Sequence, residues 1–121
     1  MALPTSDDEL LLLHNPRCSK SRAALSLLEE RGVAFAVREY LEDPLSREEL
    51  ASLVERLGRP ARDLVRKQEA AFREAGCSAD SSDDEILAAT AAAPILMERP
   101  ILVRGRRAAI GRPPEDVLEL L

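Results

Sequence analysis

Apolar residues 10–13 form an unbroken leucine run that ends at His14, the pattern of a short strand covered on both faces. Ala24, Leu27, Leu28 and Arg31 then recur at helical spacing over residues 23–31, and Gly32 stands where such a helix would stop. Over residues 33–40, Val33, Phe35 and Val37 alternate with Ala34, Ala36 and Arg38, which predicts a second strand. A β-α-β unit of this kind implies parallel strands and a right-handed crossover.

The middle of the chain reads differently. Ser46 followed three residues later by Glu49 is a capping box, and Leu50, Leu53, Val54 and Leu57 supply one apolar helix face before Gly58. Pro60 opens a second short helix through Leu64, Val65 and Arg66 to Phe72, interrupted at Gly76. Ser82-Asp83-Asp84-Glu85 starts a third, which ends at Pro94. Residues 45–93 are therefore expected to be a helical insert in one domain covering residues 9–121, with residues 1–8 as a flexible polar leader. Strand character returns at Ile101-Leu102-Val103, turns at Gly105, and comes back at Ala108-Ala109-Ile110. Pro113 then opens a final helix with Val117, Leu118 and Leu121 on its inner face. The expected fold class is α/β, a mixed sheet built β-α-β and β-β-α.

Composition narrows the partners. The chain has 121 residues and a net charge of −5, and only 2% of its residues are aromatic, so little is available to stack on bases and nucleic-acid binding is disfavoured. No apolar run is long enough to span a bilayer, and Asp7, Asp8 and Glu9 lie where a signal peptide would be basic; no membrane partner and a cytoplasmic location are expected. The two cysteines, Cys18 and Cys77, are too few and too far apart for a secreted disulfide framework.

Candidate chemistry concentrates at residues 14–22, His-Asn-Pro-Arg-Cys-Ser-Lys-Ser-Arg. Cys18 falls at a strand-to-helix junction, where free amides and the helix dipole favour a thiolate. No Asp or Glu occurs between Leu10 and Leu28, whereas Arg17, Lys20 and Arg22 are cationic. The Ser21 hydroxyl can support the thiolate, and His14 can tune it or simply end the strand with a structural hydrogen bond. Residues 99–114 hold five arginines and no acid. Arg104, Arg106 and Arg107 at the hairpin tip read as a solvated face, but Arg99 and Arg112 flank the hairpin at its other end. With Arg66 they can offer planar forks to a tetrahedral oxyanion.

Other thiol chemistries fit less well. A low-molecular-weight phosphatase loop needs Arg where Ala24 stands, and a dithiol site needs a second Cys where Ser21 stands. No glycine-rich phosphate loop and no metal-ligand set is legible.

The 14–22 segment, together with Tyr40-Leu41-Glu42, Pro44, Leu64-Val65-Arg66-Lys67, Glu98-Arg99-Pro100-Ile101 and Gly111-Arg112-Pro113, resembles the glutaredoxin-dependent arsenate reductase (ArsC) family, in the branch with a Cys-Ser-Lys-Ser-Arg loop. The resemblance implies a thioredoxin-like fold, a cis proline at Pro100, Cys18 as nucleophile and Arg66, Arg99 and Arg112 as oxyanion ligands. His14, Ser21 and Arg22 would support the thiolate. It also implies arsenate or a similar oxyanion as substrate, glutathione as co-substrate, glutaredoxin as partner and no bound cofactor. Cys77 matches no catalytic position and reads as structural. Two alternatives share the fold: an Spx-like regulator of RNA polymerase, whose Cys-x-x-Cys switch Ser21 breaks, and a glutathione-linked thiol reductase that does not act on arsenate.

Overall fold

A computed structural model describes residues 2–66 and 70–121; Met1 and residues 67–69, among them Lys67 of the Leu-Val-Arg-Lys motif, lie outside the described residues. The chain divides into two compact units, one made of Met1–Asp43 with Arg99–Leu121 and the other of Pro44–Glu98.

The first unit holds strands β1 (Leu10–His14), β2 (Ala36–Glu39), β3 (Ile101–Arg104) and β4 (Arg107–Ile110) in one sheet of order β2-β1-β3-β4. β1 and β2 are parallel, with His14 opposite Glu39. β1 and β3 are antiparallel with Leu13 opposite Ile101, and β3 and β4 are antiparallel with Ile101 opposite Ile110. This is a thioredoxin-like α/β arrangement, and its register has a direct consequence. The start of β3 and the end of β4 lie beside the end of β1, so residues 99–100 and 111–112 arrive where the Cys18 loop departs.

Helix α1 (Ser19–Glu30) connects β1 to β2 and packs on the sheet. Leu12 and Leu102 from the strands meet Ala24 and Leu28 from α1 and Val117 and Leu120 from the C-terminal segment, flanked by Leu10, Leu25, Val33, Phe35, Ala109 and Leu118. Leu11 and Leu13, which point to the opposite face, are buried as well, and this explains why the β1 run is apolar throughout rather than alternating. Each fully buried leucine contributes roughly 1.5–3 kcal/mol of transfer free energy.

Three expectations for this unit need correction. α1 runs Ser19–Glu30, not 23–31: it starts directly after the junction expected at Cys18, five residues before Ala24, because Cys18 with extended backbone is its N-cap. The second strand is limited to Ala36–Glu39; Val33 and Phe35 contribute to the core from the preceding loop. The C-terminal element is a 3-10 helix over Pro114–Leu120. Its three-residue period puts Val117 and Leu120 on the buried face and leaves Leu121 exposed, not inward as an α-helix would have it.

Residues 2–8, read as a leader, touch the sheet: Leu3 is buried, and the Asp7 carbonyl accepts a 2.8 Å hydrogen bond from Arg104 Nε. Arg104 Nη1 also donates to the Leu120 carbonyl at 2.7 Å. Arg104 is thus a clamp between both chain ends, not part of a solvated face. Gly105, at φ +54°, lies against Asp7, whose Cα would stand 3.0 Å from an added Cβ.

The second unit is helical. α2 (Arg47–Leu57) and α4 (Asp83–Ala92) each begin with a complete capping box, Ser46 with Glu49 and Ser82 with Glu85. Between them lie a 3-10 turn (Ala61–Leu64) and the short α3 (Ala70–Glu74). The single helix expected from Pro60 to Phe72 is broken because Val65 pairs with Met97, the Arg66 amide donates to Leu96 O at 2.7 Å, and the Glu98 amide donates to Leu64 O at 2.6 Å. A backbone engaged across the unit cannot also continue its local helix.

Candidate active site

Asn15-Pro16-Arg17-Cys18 is a tight turn between β1 and α1: the Cys18 amide donates to Asn15 O at 3.0 Å, and the Arg17 amide donates to Asn15 Oδ1 at 3.0 Å. Cys18 is the N-cap residue of α1 (φ −97°, ψ 124°) and makes no regular side-chain capping bond. Its half-buried sulfur nonetheless lies under the field of the first-turn amides, as the positive end of a helix requires. Burial pushes the Cys18 thiol up, but the amides of Ser21 and Lys20 and the charge and hydrogen bonding of Arg99 outweigh it, and the thiol is lowered overall.

The cation that acts on the sulfur therefore comes from the far end of the sequence. Arg99 precedes β3 and is 8% exposed, and its Nε and Nη1 are buried with no hydrogen-bond partner among the described residues. Arg112 follows β4 and donates Nε to the Arg99 carbonyl at 3.1 Å. The Gly111 amide donates to Pro100 O at 2.8 Å, tying the same two segments together. The Arg99–Pro100 and Arg112–Pro113 peptide bonds are cis.

The other residues singled out in the sequence take different places. Ser21 Oγ lies 2.7 Å from His14 Nδ1 and accepts the Asn15 amide at 3.0 Å, so its hydroxyl serves the loop while its backbone amide faces the sulfur. His14 is lowered from the ordinary histidine value chiefly by burial, against Glu39, which raises it, and with Arg22, which lowers it further. Arg22 Nη1 donates to the Pro16 carbonyl at 2.8 Å, closing the turn from the helix side. Arg66 belongs to the second unit, where its Nε lies 3.6 Å from Glu98 Oε1. Cys77 is a free, buried thiol of that unit and lines a cavity of about 470 Å³ with Arg62, Phe72, Arg73, Ser78 and Ala79.

Sequence reasoning passed over Asn15, which is 5% exposed and at the centre of the loop's bonds, although an Asn before Pro at a strand end is itself a turn signal. Among the described residues, no cluster of three or more His, Cys, Asp or Glu side chains could hold a metal ion.

A thioredoxin-like sheet, with a lowered thiol at the N-cap of its first helix and a buried guanidinium acting on that thiol, puts the chain among the thioredoxin-like α/β proteins. Among these the chain belongs to the ArsC family, whose sequence pattern it matches over residues 13–120. It is 45% identical over 115 residues to an arsenate reductase of Neisseria meningitidis serogroup A, covering 93% of this chain and 98% of the relative. It is 39% identical over 114 residues to an arsenate reductase of Haemophilus influenzae, covering 93% of this chain and 98% of that one. Among solved structures, an arsenate reductase from Vibrio cholerae superposes with a TM-score of 0.89 at 45% identity, over 93% of this chain and 98% of that one.

Proposed function

We propose that the protein is an arsenate reductase with Cys18 as its nucleophile. The observation that carries this reading is the Arg99 guanidinium, buried with two unpartnered nitrogens and acting on the Cys18 sulfur. A buried cation with unmade hydrogen bonds is costly until an anion completes it. Arsenate is the anion named for relatives of nearly equal length. Its tetrahedral oxygens suit the planar forks of Arg99 and Arg112.

The thiolate attacks arsenic and displaces one oxygen, which leaves as water after protonation, to give a Cys18 thiol-arsenate adduct. Glutathione then attacks this adduct. The thiolate sulfur of glutathione bonds to the Cys18 sulfur as the S–As bond breaks. The electron pair of that bond stays on arsenic, which passes from As(V) to As(III) and leaves as arsenite; the two sulfurs, now a mixed disulfide, have given up the two electrons. Glutaredoxin then takes the glutathionyl group onto its own thiol, and Cys18 returns as the thiolate. His14, Ser21 and Arg22 keep the loop in the geometry that supports the thiolate, and Pro100 is the cis proline that follows Arg99. No bound cofactor takes part in this reading, and a reaction that draws on glutathione suits the cytoplasm. Among the described residues no helix is long and apolar enough to cross a membrane.

The test is an assay with arsenate, glutathione, glutaredoxin, glutathione reductase and NADPH. NADPH oxidation that requires both arsenate and Cys18 is the expected result. Turnover of a glutathione mixed disulfide with no response to arsenate would overturn the assignment in favour of a thiol reductase.

A further inference from the structure

Pro16 has no amide hydrogen, so the turn that carries the thiol has only two donors to satisfy before α1 begins, those of Arg17 and Cys18. Asn15 takes both, the first through Oδ1 at 3.0 Å and the second through its carbonyl at 3.0 Å. Its own amide donates to Ser21 Oγ at 3.0 Å. One buried residue thereby fixes both ends of a turn whose outer members, Pro16 and Arg17, are exposed. Of these three bonds only the one through Oδ1 depends on the side chain.

We propose that Asn15 is a positioning residue for the reaction: its side-chain oxygen, by holding the Arg17 amide, keeps Cys18 seated at the N-terminus of α1. Without that oxygen the Arg17 amide turns to water, the exposed half of the turn loosens, and the sulfur leaves the amides of Lys20 and Ser21. This inference rests on Cys18 being the nucleophile, but its test needs no arsenate.

The experiment compares wild type with Asn15→Ala and Asn15→Ser, reading thiolate formation at Cys18 by ultraviolet absorbance and by alkylation rate across pH, in a Cys77→Ser background. Serine can accept the same amide hydrogen bond, more weakly. The Ala variant should titrate at higher pH, and its alkylation rate near neutrality should fall on the order of ten-fold, the scale of loss from a misplaced reacting group. Alkaline pH should restore the rate, because the thiol itself is intact. The Ser variant should regain most of the wild-type behaviour. An Ala variant that titrates as wild type overturns the proposal, as does a Ser variant no better than Ala. Should the Ala variant fail to fold, Asn15→Leu, which keeps the volume and accepts no hydrogen bond, takes its place beside the Ser variant: an alkaline shift larger than that of Ser supports the role, and titration as wild type overturns it. A wild-type thiol that titrates normally would instead count against the nucleophile assignment itself.

Discussion

Arg112 donates its Nε to the main-chain carbonyl of Arg99 at 3.1 Å, so one guanidinium is anchored by the backbone of the other. The bond fixes the orientation of Arg112 while Arg99 keeps two buried nitrogens without partners among the described residues. Arg99→Lys and Arg112→Lys keep the charge and lose the planar fork. Each is expected to reduce kcat/KM for arsenate on the order of ten-fold or more, about 1.4 kcal/mol of transition-state stabilisation. Arg66→Lys belongs in the same series with the same expectation. Arg106→Lys, at the exposed hairpin turn, is the control. Equal losses at Arg106 and Arg99 would show that the effect does not come from an oxyanion site beside Cys18.

The lowered thiol sets a pH dependence. Because burial opposes ionisation while the Ser21 and Lys20 amides and Arg99 favour it more strongly, Cys18 is a thiolate at pH values where a free cysteine is still protonated. Alkylation of Cys18 should therefore rise and level off at lower pH than for free cysteine. Arg99→Gln removes the charge and should move the profile to higher pH. The ionised thiol also favours the fold above the free-thiol pKa, and this contribution is lost as pH falls through the lowered folded-state value. A profile that coincides with free cysteine and does not respond to Arg99→Gln would falsify activation by these groups.

Cys77 should be dispensable. Cys77→Ser is expected to leave most glutathione- and glutaredoxin-dependent turnover intact, whereas Cys18→Ser should abolish it. Mass spectrometry of the enzyme during turnover gives a second check. Accumulation of a Cys18 adduct only in the Cys77→Ser protein would mean that Cys77 resolves the intermediate internally.

Gly111 sits where two segments of the proposed oxyanion site come together. An added Cβ would stand 2.7 Å from Pro100 Cγ and 2.9 Å from Val117 Cγ1. Both are parts of stiff side chains, so Gly111→Ala should displace the Arg99-Pro100 segment. The expected loss is about 1–3 kcal/mol in a denaturant titration, the range for overpacking, together with weaker arsenate saturation. Wild-type stability and KM would show that the contact relaxes without cost.

Much of this protein is written locally. The leucine run of β1, the capping boxes Ser46/Glu49 and Ser82/Glu85, and the position of Cys18 between strand and helix all follow from neighbours a few residues apart, since caps and periodicity are short-range physics. The motif at residues 14–22 singled out the thiol, and together with the segments at 40–42, 64–67, 98–101 and 111–113 it pointed to the family. Local pattern erred where a distant partner takes over the backbone. Val65 leaves its helix to pair with Met97, and Arg104 leaves solvent to hold the Asp7 and Leu120 carbonyls.

The site shows the same division. Sequence alone determined that a cysteine would meet helix amides, and it placed Arg17, Lys20 and Arg22 nearby as the cations. The tertiary structure decided which charge acts on the sulfur, and the answer is Arg99. Antiparallel pairing of β3 with β1, Ile101 against Leu13, delivers that residue to the loop end, while Arg22 turns to the Pro16 carbonyl and the Ser21 hydroxyl to His14. The physical reason is range. Helix amides are fixed by the residue's own turn, whereas a buried guanidinium is positioned by strand register, which exists only once the sheet has formed.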